Sequence, residues 1–245
     1  MEYGSILYAK GGNIMATIYA STNDGWVGCG LGTNWNLIRQ SDTSSGGVGS
    51  VNSGETRSRI APALSFQTSR GPGGFGIRRG FFEFDTSGIA IAPLSASFKI
   101  KGYSSDTADV IVVRSTHSNP LGTGDHDAFP SAGVTALGNS DGSGAGTFAG
   151  ISGLTYSAEF TSWSTSGYNT IALNATALDD IAGLDLFKIC IMEYDHDYLD
   201  ITGSGIQSAG AYFADWEGTF NDPYLDYTMP TATVTHNANF FGSNF

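Results

Sequence analysis

Apolar residues in this chain follow two rhythms. In the first they alternate with polar ones: Ile14, Ala16 and Ile18 are set against Met15, Thr17 and Tyr19, and Ala96, Phe98 and Ile100 against Ser97, Lys99 and Lys101. A period of two gives a strand one dry face and one wet face. In the second the run is nearly continuous. Asp109 to Arg114, DVIVVR, predicts a buried strand, and Leu186 to Tyr194, LFKICIMEY, the most apolar of all, predicts a central one. Phe81 to Phe84, FFEF, adds an aromatic strand.

Turn residues punctuate these runs. Asp85-Thr86-Ser87-Gly88 reverses the chain after the aromatic strand, so that Arg78 to Lys101 reads as strand, turn and strand, with Pro93 confined to a sheet end because it has no N–H to donate. Residues 41 to 58 and 115 to 153 are Gly/Ser-rich and aperiodic, which predicts two long loop regions, with a short strand over Ala63 to Thr68. Further strands are expected over Tyr156 to Trp163, Asn169 to Leu173, Ala211 to Trp216 and Tyr224 to Met229. Asn174 to Gly183 is the single predicted helix, with Asn174 as its N-cap and Gly183 as its stop. The pattern specifies an all-β fold: a jelly-roll β-sandwich of two antiparallel sheets with long loops and one short helix. It spans residues 13–229, after an N-terminal segment (1–12) and before a C-terminal arm (230–245). Met15 is an alternative start to Met1.

Composition narrows the function. With 40% hydrophobic and 12% aromatic residues the chain can build a core, while only 14% are charged and polarity comes from Gly, Ser, Thr and Asn. A net charge of -12 with 11 Lys and Arg argues against a nucleic-acid groove and against an anionic membrane surface. No run is long enough to span a bilayer, and residues 1–20 lack the basic-then-apolar layout of an export signal. Cys29 and Cys190 lie in apolar or Gly-flanked runs and read as buried thiols. A β-rich, Lys-poor chain without an export signal fits a particle component assembled inside a host cell and released by lysis.

Several strings invite chemical readings. Asp-His-Asp occurs at Asp125 to Asp127 and again at Asp195 to Asp197; Glu193, Asp195, Asp197 and Asp200 form a possible calcium set, with turn capping as the alternative. Trp35 and Trp163 are possible glycan-stacking platforms, Trp35 being the best surface candidate because it sits among loop-like asparagines. Arg78 and Arg79 read as scaffold, paired with Asp85 or Asp222. The string GPGGFG at 71–76 precedes a strand rather than a helix, and Gly138 to Gly142 places a G-x-S-x-G string in a Gly-rich loop; neither has the context its chemistry needs. Paired carboxylates among Glu83, Glu159, Glu193, Asp215 and Glu217 would suit glycoside hydrolysis only at a separation that sequence does not give. Phe240, Phe241 and Phe245 make the C-terminal arm adhesive, a candidate intersubunit contact.

Five segments in order carry a family likeness: RGFFEFDTSGI at Arg79 to Ile89, the Ala96-x-Phe98-x-Ile100 strand, LNAT at Leu173 to Thr176, the strand ending at Asp195-His196-Asp197, and YFADWEGTFNDPYLDY at Tyr212 to Tyr227. Together they resemble the DNRLRE-type jelly-roll domain, similar to carbohydrate-binding-module sandwiches and found in phage virion and bacterial surface proteins. That resemblance implies a non-catalytic module. Residues 41–76 and 115–150 look like insertions relative to it. The expectation is therefore a virion structural protein, a head decoration, fibre or neck subunit, working without a cofactor unless calcium, with other virion proteins and copies of itself as partners. The alternative is a glycan-binding module for host or cell-surface attachment.

Overall fold

A computed structural model describes residues 13–32, 35–40, 49–53, 64–65, 75–107, 109–130, 148–149, 151–201, 207–214 and 221–231. Among them are eleven strands: β1 (Ile14–Tyr19), β2 (Gly25–Gly32), β3 (Gly49–Ser53), β4 (Leu64–Ser65), β5 (Phe75–Asp85), β6 (Ser95–Asp106), β7 (Val110–Arg114), β8 (Tyr168–Ala172), β9 (Leu186–Glu193), β10 (Ser208–Ala211) and β11 (Tyr224–Met229). Two helices accompany them, α1 (Trp35–Gln40) and α2 (Ala175–Gly183). One antiparallel sheet joins β1 to β11, β11 to β6, β6 to β8 and β10, and β10 to β4; the other runs β3-β2-β5-β9-β7.

The two sheets face one another across a shared core. Phe98, Ile100, Ile171 and Leu225 from the first meet Phe82, Phe84, Val110, Val112, Phe187, Ile189 and Ile191 from the second. The two rhythms of the sequence correspond to the two sheets. Strands β1, β6 and β11 cover one face only, so they alternate: Leu225 lies opposite Phe98 and Ile18 on the dry side, and Asp226 lies opposite Ser97 and Thr17 on the wet side. Strands β5, β7 and β9 are buried on both faces, so their runs are continuous. Their second face packs Phe81, Ile111, Val113, Cys190 and Met192 under Leu121, Phe129, Phe148, Leu154 and Tyr198. This outer cover explains why β7, the last strand of its sheet, is buried along its length.

Several boundaries differ from expectation. The Asp85 turn forms as predicted, with the Asp85 carboxylate accepting from Ser87 N and Oγ at 3.1 and 2.6 Å. It does not close a hairpin, however; β5 belongs to one sheet and β6 to the other, so the turn is a corner of the sandwich. The stretch 156–163 makes only isolated bridges: residues 154–160 run along β7, but the N–H groups of both Tyr156 and Ser157 go to the Val112 carbonyl, an irregularity that interrupts the ladder. The strand expected at 211–216 lies earlier, as β10, and pairs β6. Part of the predicted loop 41–58 is β3, paired with β2, and Trp35 opens a second helix. Helix α2 has the predicted cap, Asn174 Oδ1 accepting from Ala177 N at 3.1 Å. Cys190 is a buried free thiol.

Gly102 marks a close approach that fixes one edge of the sandwich. A Cβ there would fall on the Ser164 carbonyl oxygen, 2.8 Å from Trp163 Nε1 and 2.9 Å from Asn169 Nδ2. Overpacking of this kind typically costs about 1–3 kcal/mol. Gly102→Ala is accordingly expected to lower the free energy of unfolding by that amount, read as a lower urea midpoint, and to shift the Trp163 fluorescence; an unchanged midpoint would mean the 163–169 segment yields freely.

Candidate functional site

The outer cover of the second sheet is pinned by one side chain. Arg79 lies on β5 with the same parity as Phe81 and therefore points into the cover, where it is fully buried. Its Nε and Nη2 donate to the two oxygens of Asp197 at 2.7 and 2.6 Å, a bidentate pair. Nη2 also donates to the Arg39 carbonyl at 3.0 Å, and Nη1 to the His126 carbonyl at 2.5 Å and to His126 Nδ1 at 3.2 Å. All five guanidinium N–H groups thus have an acceptor, and the His126 proton resides on Nε2. Burial opposes the charge, but the Asp197 carboxylate more than offsets it and holds the Arg79 pKa above its ordinary value.

Both Asp-His-Asp strings converge here. The first forms a 3-10 turn, Thr123–Asp127, and the second a π-helical turn, Tyr194–Tyr198, and each supplies a group to Arg79. Glu193 caps the second turn, accepting from the N–H groups of Asp195, His196 and Asp197 at 3.1, 2.6 and 3.2 Å. Burial raises its pKa to about 7 despite those three donors. Arg39, on α1, donates from Nε to the Asp197 carbonyl at 2.6 Å and lies 3.2 Å from Asp200 Oδ1. Its guanidinium sits 5.4 Å from the centre of the Phe148 ring, over which Arg79 also lies, at 5.6 Å.

These contacts place the residues singled out in the sequence. Of the possible calcium set Glu193, Asp195, Asp197 and Asp200, Asp197 and Asp200 turn to arginines and Glu193 to the backbone. Among the described residues, no three His, Cys, Asp or Glu side chains converge as a metal-binding set. Trp35 is 6% exposed rather than at the surface, and its Nε1 donates to Asp200 Oδ1 at 2.8 Å. The partner of Arg79 is Asp197, not Asp85 or Asp222, and Arg78 instead stacks on Trp26 at 4.6 Å. Phe240, Phe241 and Phe245 lie outside the described residues, as does Gly138 to Gly142.

Trp163 is the sequence-predicted residue that reaches a concave surface. It is half-buried, packs edge-on against Phe160 at 6.4 Å, and donates from Nε1 to the Gly210 carbonyl at 3.3 Å. With Ser105, Thr107, Asp109, Thr161 and Ser162 it lines a groove of about 520 Å³. Thr107 adopts φ 53, a left-handed backbone that a β-branched residue seldom takes. Beside the groove, Glu159 has a raised pKa, from burial first and then from the neighbouring charges of Asp109 and Asp195. Hydroxyls, one carboxylate and one indole make this a surface suited to hydroxyl-rich ligands.

No family model matches this chain, and no curated protein is detectably similar to it.

A buried imidazole at the other end of β5 gives the molecule a pH dependence. His117 is fully buried, with Nδ1 2.8 Å from Ser115 Oγ and its ring edge-on to Phe81 at 5.4 Å. Burial, reinforced by the Lys188 charge, lowers its pKa from 6.5 to about 4. Folded His117 stays neutral where the unfolded chain takes up a proton, so its contribution is complete above pH 6.5 and is lost as the pH falls toward about 4. Glu193 acts in the opposite sense between pH 4.5 and about 7, because the folded carboxyl keeps a proton that the unfolded one releases as the pH rises. The His117 part is therefore read as the stability difference between wild type and His117→Gln, which narrows across that acid window. An NMR titration placing His117 near 6.5 would refute it.

Proposed function

We propose that this chain is a non-catalytic structural protein of a phage virion, a jelly-roll head decoration, fibre or neck subunit that works through contacts with other virion proteins and with copies of itself. The observation that carries this reading is the exposure of three large apolar side chains, Met15 on β1 and Ile91 and Leu94 just before β6. Met15 is 61% exposed, Ile91 62% and Leu94 55%. Met15 lies opposite Thr228 in the β1–β11 ladder, and Leu94 N donates to the Thr228 carbonyl at 2.7 Å, so two of these side chains flank one residue of β11. Exposed large apolar side chains bordering the end of one sheet offer a contact surface to a neighbouring subunit. The chain runs on from the end of β11 through Pro230 into the arm that carries Phe240, Phe241 and Phe245. The acidic, Lys-poor composition and the likeness to virion and surface domains agree with this reading, as does the use of the Arg79 cluster as scaffold. The place of action is then the virion, assembled in the host cytoplasm and released by lysis.

Two measurements test it. Electron microscopy of the particle should place this chain in density with Met15 and Leu94 against a neighbouring subunit. A Met15→Glu, Leu94→Glu double variant should fold normally and fail to incorporate. Normal incorporation of that variant, or a protein found only free in the cytosol, would overturn the assignment.

A second reading, attachment to a host or cell-surface glycan, is favoured by the Trp163 groove, where an aromatic face stands beside four hydroxyl side chains. Trp163→Ala would then abolish retention on a neutral glycan array while leaving incorporation intact; a flat array for the wild type would retire it.

A further inference from the structure

Glu83 anchors a second buried polar cluster on the outer face of β5. It shares the parity of Arg79 and Phe81, points into the cover, and is 2% exposed. Lys188, on β9, stands directly opposite it in the β5–β9 ladder. The Lys188 ammonium lies 3.8 Å from Glu83 Oε2 and donates to the His117 carbonyl at 2.6 Å. From the turn that follows β7, Asn119 Nδ2 donates to the other oxygen, Oε1, at 3.0 Å, beside Ser21 Oγ at 2.8 Å. An amine and a primary amide therefore sit on the two oxygens of one buried carboxylate.

A purely structural ion pair accounts poorly for this arrangement. The ammonium stops well beyond hydrogen-bond length from Oε2 and bonds instead to a carbonyl two residues from Asn119. Glu83 Oε2 is left buried with no hydrogen bond, as is His117 Nε2, 4.0 Å away. The turn that carries Asn119 is held in shape by its own bonds. Asp125 accepts from Ser118 N and Oγ at 2.8 and 2.6 Å and from Gly122 N at 2.6 Å, while Asn23 Oδ1 accepts from Leu121 N at 2.8 Å. Asn119 is exposed on its outer side, which gives a small leaving group a path to solvent.

An amine displaces an amide nitrogen only when it has lost a proton, when the departing nitrogen gains one, and when the two groups are held together. A carboxylate shared between them serves all three needs. We propose that Lys188 and Asn119 condense, with Glu83 as proton carrier, into an intramolecular isopeptide bond that joins β9 to the turn after β7. Lys188 Nζ bonds to Asn119 Cγ, and the Cγ–Nδ2 bond breaks. On becoming an amide nitrogen the ammonium gives up two protons. One passes through Glu83 to Nδ2, which leaves as ammonia, and the other goes to solvent. Glu83 ends as it began, and nothing is oxidised or reduced. The reaction needs no partner and does not depend on where the chain acts.

Intact-mass spectrometry of the full purified chain tests this. The wild type is expected to be lighter than its sequence by one ammonia, and fragment-ion sequencing of a chymotryptic digest to find a branched peptide joining Asn119 to Lys188. Lys188→Arg keeps the positive charge but offers no attacking amine, and Asn119→Ala changes an exposed position; both, checked for folding by thermal melts, should return the full sequence mass. Glu83→Gln, similar in size, should stay unlinked. An unmodified wild-type mass would overturn the proposal, as would an ammonia loss that the fragment ions place at another residue. Linkage in Glu83→Gln to the wild-type extent would overturn it too, because the carboxylate would then carry no proton.

Discussion

Arg79→Ala is expected to remove about 3–5 kcal/mol of folding stability, the cost typical of breaking a buried ion pair from one side. Its removal leaves the Asp197 carboxylate, itself 1% exposed, without its bidentate partner, and leaves the carbonyls of Arg39 and His126 without their donor. A domain of this size holds about 5–15 kcal/mol in total, so the loss is a large share. The expected fall in Tm is on the order of 10 °C, from roughly 2–4 °C per kcal/mol at this length. The pattern of loss matters as much as its size. Arg79 ties α1, the 3-10 turn at Thr123–Asp127 and the π-helical turn at Tyr194–Tyr198 to one strand, so hydrogen exchange should accelerate in those three segments before the inter-sheet core. A double variant, Arg79→Met with Asp197→Leu, should recover much of the stability, since removing both charges leaves none unpaired. If Arg79→Ala unfolds no more easily than wild type, the cluster is not what holds the cover in place.

Phe82→Ala should cost a similar amount, about 3–5 kcal/mol, by a different route. Phe82 is fully buried on the inner face of β5, 5.2 Å from the Phe98 ring of the facing sheet and stacked on Phe213 at 5.4 Å. Its truncation opens a cavity between the sheets that two rigid β-layers cannot close, so the lost contacts are not regained. Phe82→Leu, which keeps most of the volume, should cost clearly less. Urea unfolding with unchanged slope would confirm a loss of packing rather than of cooperativity. Exchange should rise here in β5 and β6 together, which separates this effect from that of Arg79. A cost below about 1 kcal/mol would mean that the Phe98 and Phe213 rings collapse into the space.

Much of the architecture is legible in the order of apolar residues. Ile14, Ala16 and Ile18, like Ala96, Phe98 and Ile100, alternate because one side of their sheet meets water, whereas VIVV and FKICIM are continuous because a second layer covers theirs. Asn174 and Asp85 are equally readable, since a cap and an Asx turn use partners two or three residues away. Tyr19 could be placed on a wet face from β1 alone. Nothing in the sequence brings it beside Tyr224 and Tyr168, which are about 200 and 150 residues further along. The Asp-His-Asp repeat is visible as a repeat, yet its common target, Arg79, is not, because the pairing runs between a strand and two turns distant in sequence. Trp35 misleads for a related reason: its asparagine neighbours suggest a surface loop, while its indole N–H is satisfied by Asp200, 165 residues away.

By itself, then, the sequence determined what local periodicity and short-range hydrogen bonding can encode: an all-β sandwich, its principal strands, its capped helix, and an acidic composition. Only the tertiary structure decided which sheet each strand joins, that the Asp85 turn is a corner and not a hairpin, that Asp197 and Asp200 serve buried arginines and Glu193 the backbone, and that three tyrosines form one row. Strand register and buried charge pairing are set by contacts between residues far apart in the chain, and a one-dimensional pattern carries the face of a residue but not its neighbour across the sheet.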